Sequence, residues 1–232
     1  MIDVESLSKT IGAKSIVDGV TFRVASGLTA LLGRNGAGKT TLMRMLAGIW
    51  QPSAGVARID GHDLSTDPVA AKRALGYQPE HPDLHPRLRP RELLAFVAAA
   101  RALGRDAVAQ VAAQWDIAPL LDLACGTLSQ GQKRLVTLAA ATMHAPSVLL
   151  LDEPTNALDP HRVAALKAYL RGSDAPRAAL ISTHQLDFVA TIADAYILLA
   201  AGRLIAHGTL ADLQRHFGMP GATIEDIVLR AT

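Results

Sequence analysis

Residues 33 to 40 read Gly33-Arg34-Asn35-Gly36-Ala37-Gly38-Lys39-Thr40, a glycine-rich run closed by a lysine and a hydroxyl. Glycines let a backbone curl until successive N–H groups point inward at phosphate oxygens, and a helix starting behind the loop adds the positive end of its dipole. Lys39 has the length and charge to reach β- and γ-phosphates, and the Thr40 hydroxyl suits Mg²⁺. The flanks agree with that use, because the apolar run Leu28 to Leu32 enters as a strand and Thr41 to Ala47 leaves as a helix. The chemistry implied is binding of a nucleoside triphosphate.

A second run, Val148-Leu149-Leu150-Leu151-Asp152-Glu153, ends four apolar residues in two acids. Open α/β sheets bind ligands at the carboxyl ends of such strands. There Asp152 suits contact with Mg²⁺, direct or through water, and Glu153 suits positioning and deprotonating an attacking water. The same pair could cap a helix leading into Pro154, but the phosphate loop upstream favours the chemical reading. His184 follows a third apolar stretch, Ala178 to Ser182, where a lone histidine is most often structural. His81 and His85 have the i, i+4 spacing of a helical metal pair, yet Pro82 and Pro86 argue against the helix a zinc site there would need.

The elements that must position these groups are legible in outline. Ile2 to Leu7, Val20 to Val24, Leu28 to Leu32 and Val56 to Ile59 read as strands between turns. Arg91 to Ala124 is rich in alanine and leucine at helical spacing, with Gly104 and Pro119 as breaks. From Ser147, the runs Val148 to Leu151, Ala178 to Ser182 and Tyr196 to Ala200 alternate with helices starting near Pro160, Leu186 and Thr209. Short apolar strands separated by helices predict a parallel sheet covered on both faces.

Half of the 232 residues are hydrophobic and the mean hydropathy is +0.22, which raises the question of a membrane span. Alanine answers it: 41 of those residues are alanine, and the longest apolar runs, Leu93 to Ala100 and Tyr196 to Ala201, fall well short of the roughly 20 residues a spanning helix needs. A formal charge of +2 gives little drive towards nucleic acid or anionic lipid, so no nucleic-acid partner is expected. Met1-Ile2-Asp3-Val4-Glu5 lacks the pattern of a secretory signal and Cys125 is the only cysteine, which together point to the cytosol.

Between the two nucleotide motifs lies Leu128-Ser129-Gln130-Gly131-Gln132, which resembles the LSGGQ signature of ATP-binding cassette (ABC) ATPases, with Gln130 in place of the first signature glycine. Order makes the resemblance specific: phosphate loop, helical insert, signature, acidic strand, then Asn156-Ala157-Leu158-Asp159 like the family's D-loop and Ser182-Thr183-His184 like its switch histidine. It covers the chain from Val4 to about Leu210. It implies a phosphate-loop α/β fold with a mainly parallel sheet, an N-terminal antiparallel β subdomain and an inserted α-helical subdomain. As one domain, residues 1–80 and 147–232 would form the nucleotide-binding core with the β subdomain, and 81–146 the helical insert with the signature helix.

The resemblance further implies ATP and Mg²⁺ as ligands, with Glu153 as general base and His184 and Lys39 beside the γ-phosphate. Gly33 to Thr41 would cradle the phosphates, Thr40, Asp152 and Glu80 would serve the metal, and Asp159 would lie at the nucleotide. Ser129, Gly131 and Gln132 open a helix running to about His144, whose N–H groups and hydroxyl form an anion site. Cassettes of this family associate head to tail, so that site would serve ATP held by a second copy or a paralogue.

Two residues depart from the family pattern. Glu80, in Gly76-Tyr77-Gln78-Pro79-Glu80, replaces the usual glutamine and adds negative charge beside the phosphates. Ile11 falls where an aromatic residue commonly stacks on adenine, so an aliphatic contact is expected there. The Gly-Tyr-x-Pro-Glu form and the short chain resemble subunits of exporters of drugs, lipids or polysaccharides. Separate membrane permease subunits would dock near Tyr77 to Arg91, where Arg87, Arg89 and Arg91 cluster, and hold the chain at the cytoplasmic face. The alternatives are an importer ATPase, a non-transport ABC ATPase and a nucleotide switch.

Overall fold

The computed structural model describes residues 1–231. Two long strands, β1 (Ile2–Ile11) and β2 (Lys14–Val24), lead into β3 (Gly27–Leu32), the phosphate loop and α1 (Lys39–Leu46). Then come β4 (Ala54–Ile59), β5 (His62–Asp63), α2 (Pro68–Arg73) and β6 (Leu75–Gln78). The helical region comprises α3 (Pro90–Ala100), α4 (Ala107–Gln114), two short 3₁₀ turns and α5 (Gln130–Thr142). The chain closes through β7 (Val148–Asp152), α6 (Pro160–Arg171), β8 (Ala178–Ser182), α7 (Leu186–Ala190), β9 (Ala195–Ala200), β10 (Arg203–Gly208), α8 (Leu210–Phe217) and α9 (Ile224–Ala231).

The strands form two sheets. One is antiparallel with order β2-β1-β4-β5, and the other has order β10-β9-β3-β8-β7-β6, parallel throughout except for the β9–β10 hairpin. Side chains alternate between faces along a strand, so a sheet buried on both sides needs apolar residues in unbroken runs. Leu149, Leu151, Ala179 and Ile181 face α5, α6, α7 and α9, whereas Val148, Leu150, Ala178 and Leu180 face α1 and the antiparallel sheet. Each fully buried leucine in these runs contributes about 1.5–3 kcal/mol.

Several boundaries differ from the sequence reading. β6 went unrecognised because Gly76-Tyr77-Gln78 offers no apolar run; its place at the sheet edge comes from pairing with β7. β10 was also missed, since its burial is mixed. The alanine-rich stretch is broken at Arg101 and again at Trp115, α5 starts at Gln130 and α7 stops at Ala190. Among the described residues no helix is long and apolar enough to cross a membrane.

Candidate functional site

Because β3, β8 and β7 lie side by side and run parallel, their carboxyl ends bring Gly33, Thr183 and Asp152 to one edge of the sheet. The phosphate loop is held there by close backbone packing. A Cβ on Gly33 would lie 2.2 Å from the Leu199 carbonyl, and one on Gly38, at φ +101°, would lie 2.8 Å from that of Ile16, so neither position admits a side chain. Gly202 closes the hairpin between β9 and β10 and donates its N–H to Ala37 O at 3.0 Å, while its own carbonyl accepts from Asp18 N at 2.9 Å.

Lys39 turns back over the loop, its Nζ donating to Gly33 O at 2.6 Å and to Arg34 O at 3.3 Å. Burial lowers its pKa, and Glu153, Asp152 and Glu80 pull the other way. The cavity over the loop, about 430 Å³, is lined by Asn35 to Thr41 with Lys14 and Ile16 beside them and Glu80 and Glu153 among its lining residues. Ile11 does not line it. That residue is 48% exposed at the end of β1, and the aliphatic side chain lining the cavity is Ile16. Gly33 and Arg34 instead border a neighbouring cavity with His184.

Asp152 is fully buried, its oxygens short of any well-formed hydrogen bond although the Ser182 and Thr40 hydroxyls lie beside them; burial raises its pKa and those two hydroxyls oppose the rise. Oxygen-rich, unpaired and buried, it fits a hard cation. Thr40 Oγ1 lies 3.4 Å from Glu80 Oε2 and beside the Asp152 carboxylate, which also feels the Glu80 charge, so the three expected metal residues converge. Among the described residues no group of three His, Cys, Asp or Glu side chains could hold a metal unaided.

Glu153 adopts φ +50°, a left-handed conformation that costs a non-glycine residue on the order of 1–3 kcal/mol and recurs at functional sites. Its Oε2 is 2.9 Å from His184 Nδ1. A carboxylate only accepts, so the proton of this bond sits on Nδ1. The histidine is 57% exposed and the carboxylate 7%, which places the acid inside and the imidazole at the mouth.

The signature lies elsewhere. Ser129 caps α5 in a reciprocal box: its Oγ accepts from Gln132 N at 3.2 Å, and its N–H donates to Gln132 Oε1 at 2.8 Å. Within this box the Ser129 N–H is satisfied by the Gln132 side chain. The groups left for a ligand are the hydroxyl proton and the first-turn N–H groups of Gln130 and Gly131. Asp159 caps α6, its Oδ1 accepting from Arg162 N at 2.9 Å. Ser129, Gly131, Gln132 and Asp159 line a separate cavity of about 420 Å³ that shares no residue with the one over the phosphate loop.

One residue escaped the sequence reading. Arg134, on α5, is 6% exposed and donates from Nη1 to Glu153 O at 2.6 Å and from Nη2 to Glu80 O at 2.7 Å. The available signal was a charge on the buried face of a helix, one turn before Leu138. In the arginine cluster, Arg91 forms a two-bond pair with Asp122 on the exposed surface, at 2.8 and 2.7 Å, and Arg89 lies within electrostatic reach of the same carboxylate.

Residues 17–156 match the ABC transporter family. The chain is 37% identical over 213 residues to the Nod factor export ATP-binding protein I of Rhizobium meliloti, covering 89% of this chain and 64% of that protein. It is 31% identical over 223 residues to the daunorubicin/doxorubicin resistance ATP-binding protein DrrA of Streptomyces peucetius, covering 94% and 68%. It thus spans about two thirds of the length of these relatives. A solved structure of the ATP-binding subunit of an ABC transporter superposes with a TM-score of 0.92 at 30% identity, over 100% of this chain and 99% of that one. Phosphate loop, signature-like run, acidic strand end and His184 follow one another along a matching frame, and the chain belongs to the ABC transporter family as an ATP-binding cassette.

Proposed function

We propose that two copies of this cassette, or one copy and a paralogue, clamp ATP head to tail and hydrolyse it to drive export through separate membrane subunits. The observation that carries the pairing is the separation of the two clefts: the phosphate cradle around Lys39 and the anion site at Ser129 share no lining residue. A head-to-tail partner brings its own Ser129 to the first. Thr40, Asp152 and Glu80 would hold Mg²⁺, which when bound supplies charge neutralisation to the phosphates. Glu153 takes the proton of the attacking water, His184 holds that carboxylate through Nδ1, and Lys39 stabilises charge on the transferring phosphoryl group.

Export is supported by the names of two relatives, one concerned with Nod factor export and one with drug resistance. Those names cover different cargo, so the cassette is read as the engine and the membrane subunits as the source of specificity. Attachment to such subunits places it at the cytoplasmic face. The test is ATP turnover and particle size for the parent and Glu153→Gln. The parent should release phosphate, and the variant should lose turnover and accumulate as an ATP-bound dimer. A variant that hydrolyses normally, with ATP never promoting dimers, overturns the proposal.

A further inference from the structure

A buried cation, Arg134, lies beneath the loops that carry Glu80 and Glu153. Arg134 takes part in no ion pair among the described residues, although it lies within the electrostatic reach of Glu80, Glu153 and Asp152. Its two terminal nitrogens are instead spent on two backbone carbonyls, those of Glu153 and Glu80. Burying a guanidinium is costly unless its bonds and charge are used, and a planar fork fixes two acceptors in one geometry as a lysine cannot. The Glu153 carbonyl also accepts the Asn156 N–H at 3.3 Å, so one oxygen ties the strained acid to both α5 and the loop that follows. Three acids crowd one sheet edge, and the buried cations facing them are Lys39 and Arg134.

We infer that Arg134 is a positioning residue: its guanidinium locks the backbone of Glu153 to that of Glu80, offsets the charge of the acid cluster, and makes both loops follow α5. The helix begins at Ser129 in the other cleft, so an anion held at its first turn acts on the loop carrying the base through one rigid element. This rests on the proposed role of Glu153. Arg134 touches no reacting atom.

Hydrogen exchange on the full chain tests the lock without requiring hydrolysis. In Arg134→Met, amides around Glu80-His81 and around Glu153 to Asn156 should exchange about tenfold faster or more, since each lost bond came from a charged donor. Amides of Gly36 to Thr41 should be unchanged. Turnover should fall on the order of 100-fold with little change in KM, as expected when a base is displaced and binding is not. Arg134→Lys, which keeps the charge and one bond, should recover part of that loss. Adding Glu80→Gln to Arg134→Met should also restore turnover relative to the single variant.

Exchange that rises in neither loop or in only one overturns the lock, as does a kcat loss independent of Glu80. If Arg134→Met does not fold, Arg134→Lys is read by the same exchange pattern, with both loops loosened together. A parent that never hydrolyses ATP overturns the proposed function, while the exchange pattern still decides the role of Arg134.

Discussion

Gly131 lies in the first turn of α5, and a Cβ built there would sit 2.3 Å from the Ala157 carbonyl oxygen. Ordinary contact begins at 3.4 Å, so Gly131→Ala must push that carbonyl away by about 1 Å, a misplacement of the size that costs on the order of 100-fold in rate at an active site. Ala157 is itself left-handed at φ +61°, and its neighbours are fixed: Asn156 N donates to Glu153 O, Leu158 N donates to Thr155 O, and Asp159 caps α6. The displacement therefore propagates towards Glu153. Stability should fall by about 0–2.5 kcal/mol. Replacing a helical glycine by alanine returns about 0.5–1 kcal/mol, against about 1–3 kcal/mol for overpacking. Phosphate release at saturating ATP, read beside thermal unfolding, separates the two effects. Turnover near that of the parent would refute the argument, because it would mean the loop yields without moving the base.

Other substitutions probe the frame. Since burial raises the folded-state pKa of Asp152, its ionisation disfavours folding, and that cost sets in as pH climbs from the unfolded value through the folded one; Asp152→Asn should raise the melting temperature at pH 7 while abolishing turnover. A lowered melting temperature would contradict this. Asp60 behaves in the opposite sense: the Ser147 hydroxyl, then the N-terminal ammonium and Arg177, hold its pKa down, so its stabilisation is present above the unfolded value and lost as pH falls through the folded one. Asp60→Ala should lower the melting temperature at pH 7 and match the parent in strong acid. Trp115 joins the helical region to the core, with its Nε1 donating to Thr142 Oγ1 at 2.9 Å and its ring edge-on to Tyr169 at 5.3 Å. Trp115→Phe should cost about 2–3 kcal/mol in denaturant unfolding through the lost bond and the cavity.

The central strands and their terminal motifs were legible because a doubly buried sheet demands uninterrupted apolar runs, and Leu28–Leu32 and Val148–Leu151 supply them. β6 was not, since a strand ending in Gly76-Tyr77-Gln78 is made by its neighbour. The Ser129–Gln132 box was readable in principle from spacing, but that it would occupy the Ser129 N–H depends on a side-chain rotamer. Ile16 rather than Ile11 lines the phosphate cavity because the β1–β2 hairpin extends past it, and strand length is a property of pairing. Arg134 shows the limit most clearly. Two of its partners are backbone oxygens, which every residue has, so residue types alone could not mark them.

The phosphate loop leaves β3, a strand whose neighbours β8 and β9 both belong to the last third of the chain, and the Gly202 turn that grips Ala37 comes later still. Synthesis proceeds from the other end. A nascent chain displaying Gly33 to Thr40 has the nucleotide motif but lacks the strands that give it shape, and such distant pairings are slow to close. Affinity for phosphate is thus acquired late, when β9 and its hairpin arrive, so an unfinished cassette on the ribosome carries the motif without being able to hold ATP.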